Sequence, residues 1–433
     1  MKYSTGNILP DSLTGAIFAI EGIADACVIL NGPTGCKFYH SAVSNDQFVR
    51  SLSFDPLAYS EEYYFGQPRV PCTYLDGYDY VYGSKAKLEG ALRMAAEKDY
   101  GLIVVINSPG AALIGDDLAL LLAKEVRDIP CFAMENTGYS GTFGEGLSKA
   151  LIQLFEQMAL PPAETPRPRT VNLLGINIMQ KYYDGNIAEM RRLLGLCGVE
   201  VLCVPGGQDS LETLRQVPEA ALNVVVYPEY GQALAEYCEA VYKTPFVTPV
   251  AGPPVGFDAA EAFVKEIARR MDVSPNPALE DIEKARARSF LYLARYTSIF
   301  GMPKGAAFSV KGEISAVYAL TRWLSEYLGM IPAAIETLDD DVPFFRAKLT
   351  DFLDSIGCGE ALGRPVNKTP VQMVFADGTT IAQLKQCHNN CAAMEIALPS
   401  LGYLDVTRKT LFGGSGALLF IENILNGLRY TQG

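Results

Sequence analysis

Histidine is nearly absent from this chain: His40 and His388 are the two in 433 residues. A metal site here would therefore lean on thiolate, which suits soft metals and iron–sulfur clusters better than a zinc or non-haem iron centre built from several imidazoles. Positive charge is also in deficit, 36 Lys and Arg against 49 Asp and Glu for a net charge of −13. Such a chain offers no basic field to phosphate backbones, and nucleic acid is not an expected partner. Long apolar runs are missing too. None reaches the ~18 residues of a membrane span, and the opening MKYSTG has no basic segment followed by an apolar stretch. The expectation is a soluble, cytoplasmic protein that engages no membrane. Neither a Gly-x-Gly-x-x-Gly fingerprint nor a P-loop opens any unit, so no NAD site and no direct ATP site is expected.

Ten cysteines are too sparse for a disulfide scaffold in a chain of this length. Cys131, Cys197, Cys203 and Cys238 sit inside apolar, strand-like or helix-like patterns and read as small core residues. With 49% hydrophobic residues the chain can bury a large core and should divide into two to three units at about 150 residues each.

Repetition organises the chain. The stretch LIVVINSPGAALIGDDLALLLAKEVRDIPCFAME (102–135) is an apolar strand, a small-residue turn, an amphipathic helix and then a second strand. The same grammar returns in NVVVYPEYGQALAEYCEAVYKTPFVTP (223–249) and in VQMVFADGTTIAQLKQCHNNCAAMEIALP (371–399). Continuous β-branched runs flanked by helical periodicity indicate parallel strands covered on both faces. Further strands are expected at 171–176, 199–204 and 305–310. The fold class is α/β, three Rossmann-like parallel-sheet units spanning 1–165, 166–300 and 301–433. The Pro-rich 161–169 reads as a linker, and 278–300 as a long helix joining the last two units.

The stretch NGPTGCKFYH (31–40) follows the apolar ACVIL (26–30) and puts a thiol just past a turn. Pro33 fixes one backbone angle and Gly35 permits a positive one, which places Cys36 near the start of a helix, KFYHSAVSNDQF. A sulfur at a helix N-terminus is favoured as thiolate and suits metal ligation. A buried cysteine in a βα turn is the other reading, and the local sequence does not choose between them.

NGPTGC, then CTYLDGYDYVYGSKAKLEGAL (72–92) and INSPGAALIGDDL (106–118), resemble the N-terminal unit of nitrogenase component 1 subunits and their relatives, which include tetrapyrrole reductases and the nickel-sirohydrochlorin reductive cyclase. The likeness continues through VNLLGINI, LNVVVYPEYG, PVAGPPVGFDAAEAF, KGEISAVYALTRWLSEYLGMIPAAIET and LGYLDVTRKTLFGGSGALLFIENIL, in order and over essentially the whole chain. It implies three Rossmann-like domains around a cavity and an iron–sulfur cluster shared at a subunit interface. It further implies an ATP-hydrolysing iron protein that docks and delivers electrons to that cluster, and from there to an unsaturated organic substrate.

The carry-over of ligands is partial. Family members draw cluster cysteines from three places, and here only the Gly-Pro-x-Gly-Cys matches, as Cys36; Asp11 and Pro109 stand at the other two. One ligand per chain cannot hold a four-iron cluster even in a dimer. Cys72, in the polar loop ahead of DYVYG, is the second candidate: two chains offering Cys36 and Cys72 twice give the four thiolates that a 4Fe-4S cluster takes. A homodimer is therefore expected, with a heterodimer containing a paralogous subunit as the alternative. Asp11 reads as an oxygen ligand or, preferably, a helix cap. At the two positions where nitrogenases hold the molybdenum–iron cofactor stand Tyr227 and Tyr403, so neither that cofactor nor dinitrogen reduction is expected.

Lesser candidates complete the set. Cys387 and Cys391 would share one helical face, as metal ligands or as core residues. Asp116 and Asp117 read as caps of one helix, with a catalytic role as the lesser alternative. Tyr39 and His40 follow Cys36, and His40 is the candidate proton donor, with a supporting hydrogen bond as its alternative. YSEEYYF (59–65) would line the interface or cover substrate. Two other functions stay open: an assembly scaffold that hands a cluster on, and a cluster-free binding protein on the same fold.

Overall fold

The computed structural model describes residues 10–37, 70–135, 141–338, 342–387, 391–397 and 405–431. The β-branched and aliphatic runs become eleven strands among these residues: β1 (Ala26–Asn31), β2 (Leu102–Asn107), β3 (Cys131–Met134), β4 (Arg167–Leu174), β5 (Glu200–Val201), β6 (Ala220–Val225), β7 (Phe246–Val247), β8 (Ala307–Gly312), β9 (Ile331–Thr337), β10 (Met373–Asp377) and β11 (Ala392–Ala397). They form three sheets, ordered β1-β2-β3, β5-β4-β6-β7 and β11-β10-β8-β9. Every pairing within them is parallel. All residues of β1 and β2 are buried, as strands covered on both faces by helices must be. The expected α/β fold of parallel sheets is what the chain adopts. The proline-rich stretch differs in one respect: β4 begins at Arg167, inside the expected linker. Three residues of it hang exposed or half-exposed before the buried Thr170.

The chain divides into two compact units, one of Leu9–Pro162 with Cys203–Pro218 and the other of Ala163–Leu202 with Glu219–Gly433. In the first unit helices Ser12–Glu21 and Phe143–Met158 cross with backbones in contact. A Cβ on Gly15 would sit 2.1 Å from the Phe143 carbonyl, and one on Gly146 would sit 1.9 Å from that of Ser12. Residues 203–218 join this unit through the Gln208 N–H donating to the Gly22 carbonyl (2.7 Å) and the Leu211 N–H donating to Asp25 (2.8 Å).

The second unit holds the two four-stranded sheets. The long helix expected at 278–300 is found as Asn276–Phe300. Among the described residues no helix is long and apolar enough to cross a membrane.

Candidate functional site

The mouth of the first sheet is built from the ends of β1 and β2 and from residues 71–75, which extend the sheet beside β1. The Leu30 N–H donates to the Pro71 carbonyl (2.8 Å), Thr73 N–H to Leu30 (3.1 Å) and Leu75 N–H to Gly32 (3.2 Å). That pairing sets Cys72 directly opposite Leu30 and buries it. Its thiol donates to the Gly32 carbonyl at 2.9 Å and its sulfur accepts the Tyr74 N–H at 3.4 Å. Loss of the thiol proton on ligation would not orphan that carbonyl, which Leu75 N–H also serves.

Cys36, half-buried, lies in a four-residue 3-10 turn, Thr34–Lys37, closed by its own N–H on the Pro33 carbonyl (3.1 Å). Two details of the expected loop change. Gly35 is absent from the glycines with positive φ and would meet nothing with an added Cβ. The glycine the geometry needs is Gly32, whose Cβ would stand 2.7 Å from Ser108 Cβ and Oγ. A single 3-10 turn also lacks the aligned peptides of an α-helix, so no helix dipole acts on Cys36 within the described residues. The helix expected to follow lies mostly outside them.

A buried polar lattice holds this mouth. Asn31 donates to Asn107 (2.9 Å), Thr73 donates to the Asn31 side chain (2.9 Å) and Ser108 N–H donates to the Asn31 carbonyl (2.8 Å). Burial first, then Cys36 and, more weakly, Cys72 and Asp79, push the Tyr80 hydroxyl up, while a hydrogen bond with Ser108 works the other way. Tyr74 is likewise raised by burial and by Cys72. Lys87 ties down the intervening loop through Asp79 (2.5 Å) and Asp76 (3.3 Å). The rim is apolar and exposed: Tyr78, Val81 and Tyr82 are 68–72% accessible, and the rings of Tyr78 and Tyr82 lie 4.4 Å apart.

Neither Cys36 nor Cys72 is in a disulfide, and both act on the Tyr80 hydroxyl. No group of three or more His, Cys, Asp or Glu side chains converges among the described residues. The pair fits a soft metal–sulfur group when other ligands come from elsewhere. Pro109, at one of the family's cysteine places, starts helix Pro109–Ala112 behind the Ser108 cap. Asp11, at another, caps helix Ser12–Glu21, accepting the Thr14 N–H (2.9 Å) and hydroxyl (2.8 Å).

Asp117 caps helix Leu118–Glu125, whereas Asp116 does not share that role. It accepts the N–H and hydroxyl of Ser84 (2.9 and 2.7 Å) instead. Cys387 and Cys391 do not share a helical face: the helix ends at Gln386, Cys387 is exposed, and Cys391 is buried immediately before β11. Burial pushes the thiols of Cys131, Cys197 and Cys391 up, and that of Cys238 to about 12, as inert core cysteines should behave. Tyr39, His40, His388, residues 59–65 and Tyr403 lie outside the described residues.

A second polar constellation lies in the other unit, past the carboxyl ends of β6 and β8. Tyr227 is buried there. Its hydroxyl is pushed well up by burial and by Glu313 and Glu229, and its backbone presses on Gly175, where a Cβ would be 2.3 Å from the Tyr227 carbonyl. Glu229 accepts the Ser315 N–H (2.7 Å) and hydroxyl (2.9 Å). Burial pushes its carboxyl up to about 7, with Glu313 adding to the push and Ser315 offsetting part of it. Tyr230 donates to Glu313 (3.3 Å). No sequence pattern marks Glu229 and Glu313, because each is only an acid at the start of a helix.

Three parallel sheets, with Cys36 and Cys72 past the end of β1, make this a protein of the α/β class. The chain belongs to the nitrogenase component 1 type oxidoreductase family, which it matches over residues 12–428. It is 33% identical over 181 residues to the B subunit of light-independent protochlorophyllide reductase from Methylobacterium sp. (strain 4-46), covering 41% of this chain and 35% of that one. With the protein of the same name from Chlorobium limicola it is 23% identical over 350 residues, 77% of this chain and 63% of the other. The match thus spans about a third of the first relative's length and under two thirds of the second's. The fold is that of the solved structure "Nitrogenase Cp1 at pH 6.5", with a TM-score of 0.76 at 16% identity over 96% of this chain and 91% of that one.

Proposed function

We propose that this chain is the catalytic component of an ATP-dependent, nitrogenase-like reductase that passes electrons through an interface 4Fe-4S cluster to an unsaturated organic substrate of tetrapyrrole type, not to dinitrogen. The observation that carries this reading is that Cys36 and Cys72 both stand at the carboxyl end of β1, one in the turn Thr34–Lys37 and the other opposite Leu30, in a member of this family. Two thiols per chain become four in a dimer, the number such a cluster takes, and the exposed rim of Tyr78, Val81 and Tyr82 offers apolar surface for a second chain to cover. A homodimer is the simplest assembly. The relatives are each named as one subunit of a reductase, which supports a paralogous partner as the alternative. A separate ATP-hydrolysing iron protein would supply the electrons, since this sequence has no nucleotide loop.

When bound, the cluster supplies low-potential one-electron transfer. The chain's own part is to hold it with Cys36 and Cys72, to donate the Tyr74 N–H to the Cys72 sulfur, and to keep water from the buried side. A phenol at Tyr227, in place of a thiolate, supports a cavity given to an organic molecule.

The test is iron and acid-labile sulfide on protein purified without oxygen, with EPR after dithionite reduction. About two irons and two sulfides per chain, lost in Cys36→Ala and in Cys72→Ala, is the result expected for one four-iron cluster per dimer. Folded, reconstituted protein that stays free of iron alone and with a paralogous subunit would instead leave a cluster-free binding protein. A loaded protein that transfers its cluster but reduces nothing would leave an assembly scaffold.

A further inference from the structure

Two surface patches hold half of the large apolar side chains that stand exposed among the described residues. Tyr74, Tyr78, Tyr80, Val81 and Tyr82 stand around the thiol mouth, and Phe290, Leu291, Tyr292, Ile299 and Phe300 lie in the last turns of helix Asn276–Phe300. Single exposed apolar residues are ordinary, whereas clusters of this kind mark contact surfaces. A solvated helix end is the plain alternative for the second patch, but the outer face of a solvated helix is polar. This helix is anchored through its other side: the Tyr296 hydroxyl donates to the Leu425 carbonyl (2.9 Å), and Ser289 bonds the Tyr327 hydroxyl (3.1 Å). The buried Ala278, Ile282 and Ser289 share that side. Helical periodicity then turns Ala287, Phe290, Leu291 and Ala294 outward, with Lys284, Arg288 and Arg295 along one flank.

Charge says what each patch accepts. No Asp or Glu occurs from 284 to 312 in a chain of net charge −13, so the exposed Arg288 and Arg295 have no acid on their own stretch to pair with. Around the mouth the balance is reversed. Residues 73–84 carry Asp76 and Asp79 and neither Lys nor Arg; Lys87 offsets part of that charge, and Asp76 and Asp117 are exposed. The rings of Tyr78 and Tyr82, 4.4 Å apart, add aromatic faces of the kind that attract guanidinium groups. The helix packed on its own copy would bring the Lys284, Arg288 and Arg295 flank toward itself. The rim packed on its own copy would bring Asp76 toward Asp76 and no cation to the tyrosines. Like charges set face to face oppose association, and only the crossed pairing avoids them.

We propose that helix Asn276–Phe300 of one copy of this chain docks, through Phe290, Leu291, Arg288 and Arg295, on the tyrosine rim at 78–82 of a second copy, and that the contact is made twice across a two-fold axis. This rests on the homodimer reading above and names the surface that covers the rim. In such a pair residue i meets j and j meets i. A stable interface covers roughly 800 Å² per partner, and reciprocity lets each copy contribute both patches toward it. Tyrosine against arginine at its centre is the composition of interface anchors.

The test is the mass of the full-length chain by light scattering, on protein purified without oxygen, with two variants at exposed positions. Arg288→Glu with Arg295→Glu reverses the helix flank; Tyr78→Lys with Tyr82→Lys makes the rim basic. Each variant alone should weaken self-association on the order of a hundredfold, with its urea midpoint unchanged. An equal mixture of the two should recover the wild-type association, because the reversed helix then meets the basic rim while the other contact keeps its native pair. Photo-crosslinking from p-benzoylphenylalanine placed at Leu291 gives a readout that needs neither variant to fold: crosslinks to 74–82 of a second, isotope-labelled copy are expected. Crosslinks to 284–300 of that copy, a mixture that fails to recover, or both variants associating as the wild type does would overturn the contact and leave the homodimer reading standing. A wild type that stays monomeric overturns both, and a paralogous subunit then becomes the partner for these patches.

Discussion

At the thiol mouth one methyl group separates a required glycine from a dispensable one. Gly32→Ala would drive its Cβ to 2.7 Å from Ser108, whose N–H holds the Asn31 carbonyl; overpacking of this kind costs about 1–3 kcal/mol. Gly35→Ala meets open space at an ordinary φ and should be neutral or add about 0.4–1 kcal/mol by restricting the unfolded chain. Urea titrations of the two variants check the contrast, and equal midpoints would count against it. The turn itself is legible in NGPTG, because Pro and Gly punctuate a strand end wherever they occur. Which glycine matters is not legible, since the answer lies in Ser108, on another strand's end. Cys72 follows the same logic: its residue type suggests a ligand, but its bonds to Gly32 and Tyr74 come from a pairing with β1 that no local pattern announces.

Elements were more readable than their partners. The apolar run of β2 and the periodicity of Asn276–Phe300 carry their own signal, as does the Asp11 cap ahead of SLTGAIFAIE, all of which depend on residues within a turn or two. The expected strand at 199–204 shrinks to Glu200–Val201, where edge pairing rather than propensity sets its length. Asp11→Ala should lower stability by about 1 kcal/mol through loss of the bonds from Thr14, and Asp11→Ser should recover most of it. Iron content unchanged in both variants is the expected companion result, because a cap is not a ligand; loss of iron in Asp11→Ala with the fold intact would give Asp11 back the oxygen-ligand role. Gly146→Ala is the harsher change at this scale. Its Cβ would lie 1.9 Å from the Ser12 carbonyl, so the two helices must part, and the denaturation midpoint should fall further than for Gly32→Ala.

At the scale of the larger unit, a buried cation joins residues distant in sequence. Lys181, fully buried after β4, pairs with Glu395 of β11 at 2.8 Å and with Asp405 at 2.9 Å; Lys409 reaches Asp405 from the other side at 2.9 Å. Nothing near MQKYY marks Lys181 in advance, because its partners are supplied by the last strand and the segment beyond it. Burial alone would raise the Asp405 carboxyl, but the bonds from Lys181 and Lys409 outweigh it and hold it below the ordinary carboxylate range. A depressed acid contributes stability that is present above its unfolded value of about 3.9 and is lost as pH falls through the lower folded value. Lys181→Met removes the shared cation while filling much of the same space, and breaking a buried pair in this way costs about 3–5 kcal/mol. The wild type should therefore lose stability from about pH 5 downward, in the range where the variant recovers some by protonating the acids it can no longer pair. Urea midpoints measured across that window should converge toward the acid end. Parallel curves for the two proteins would mean that the ion cluster contributes nothing to holding β4 and β11 in one unit.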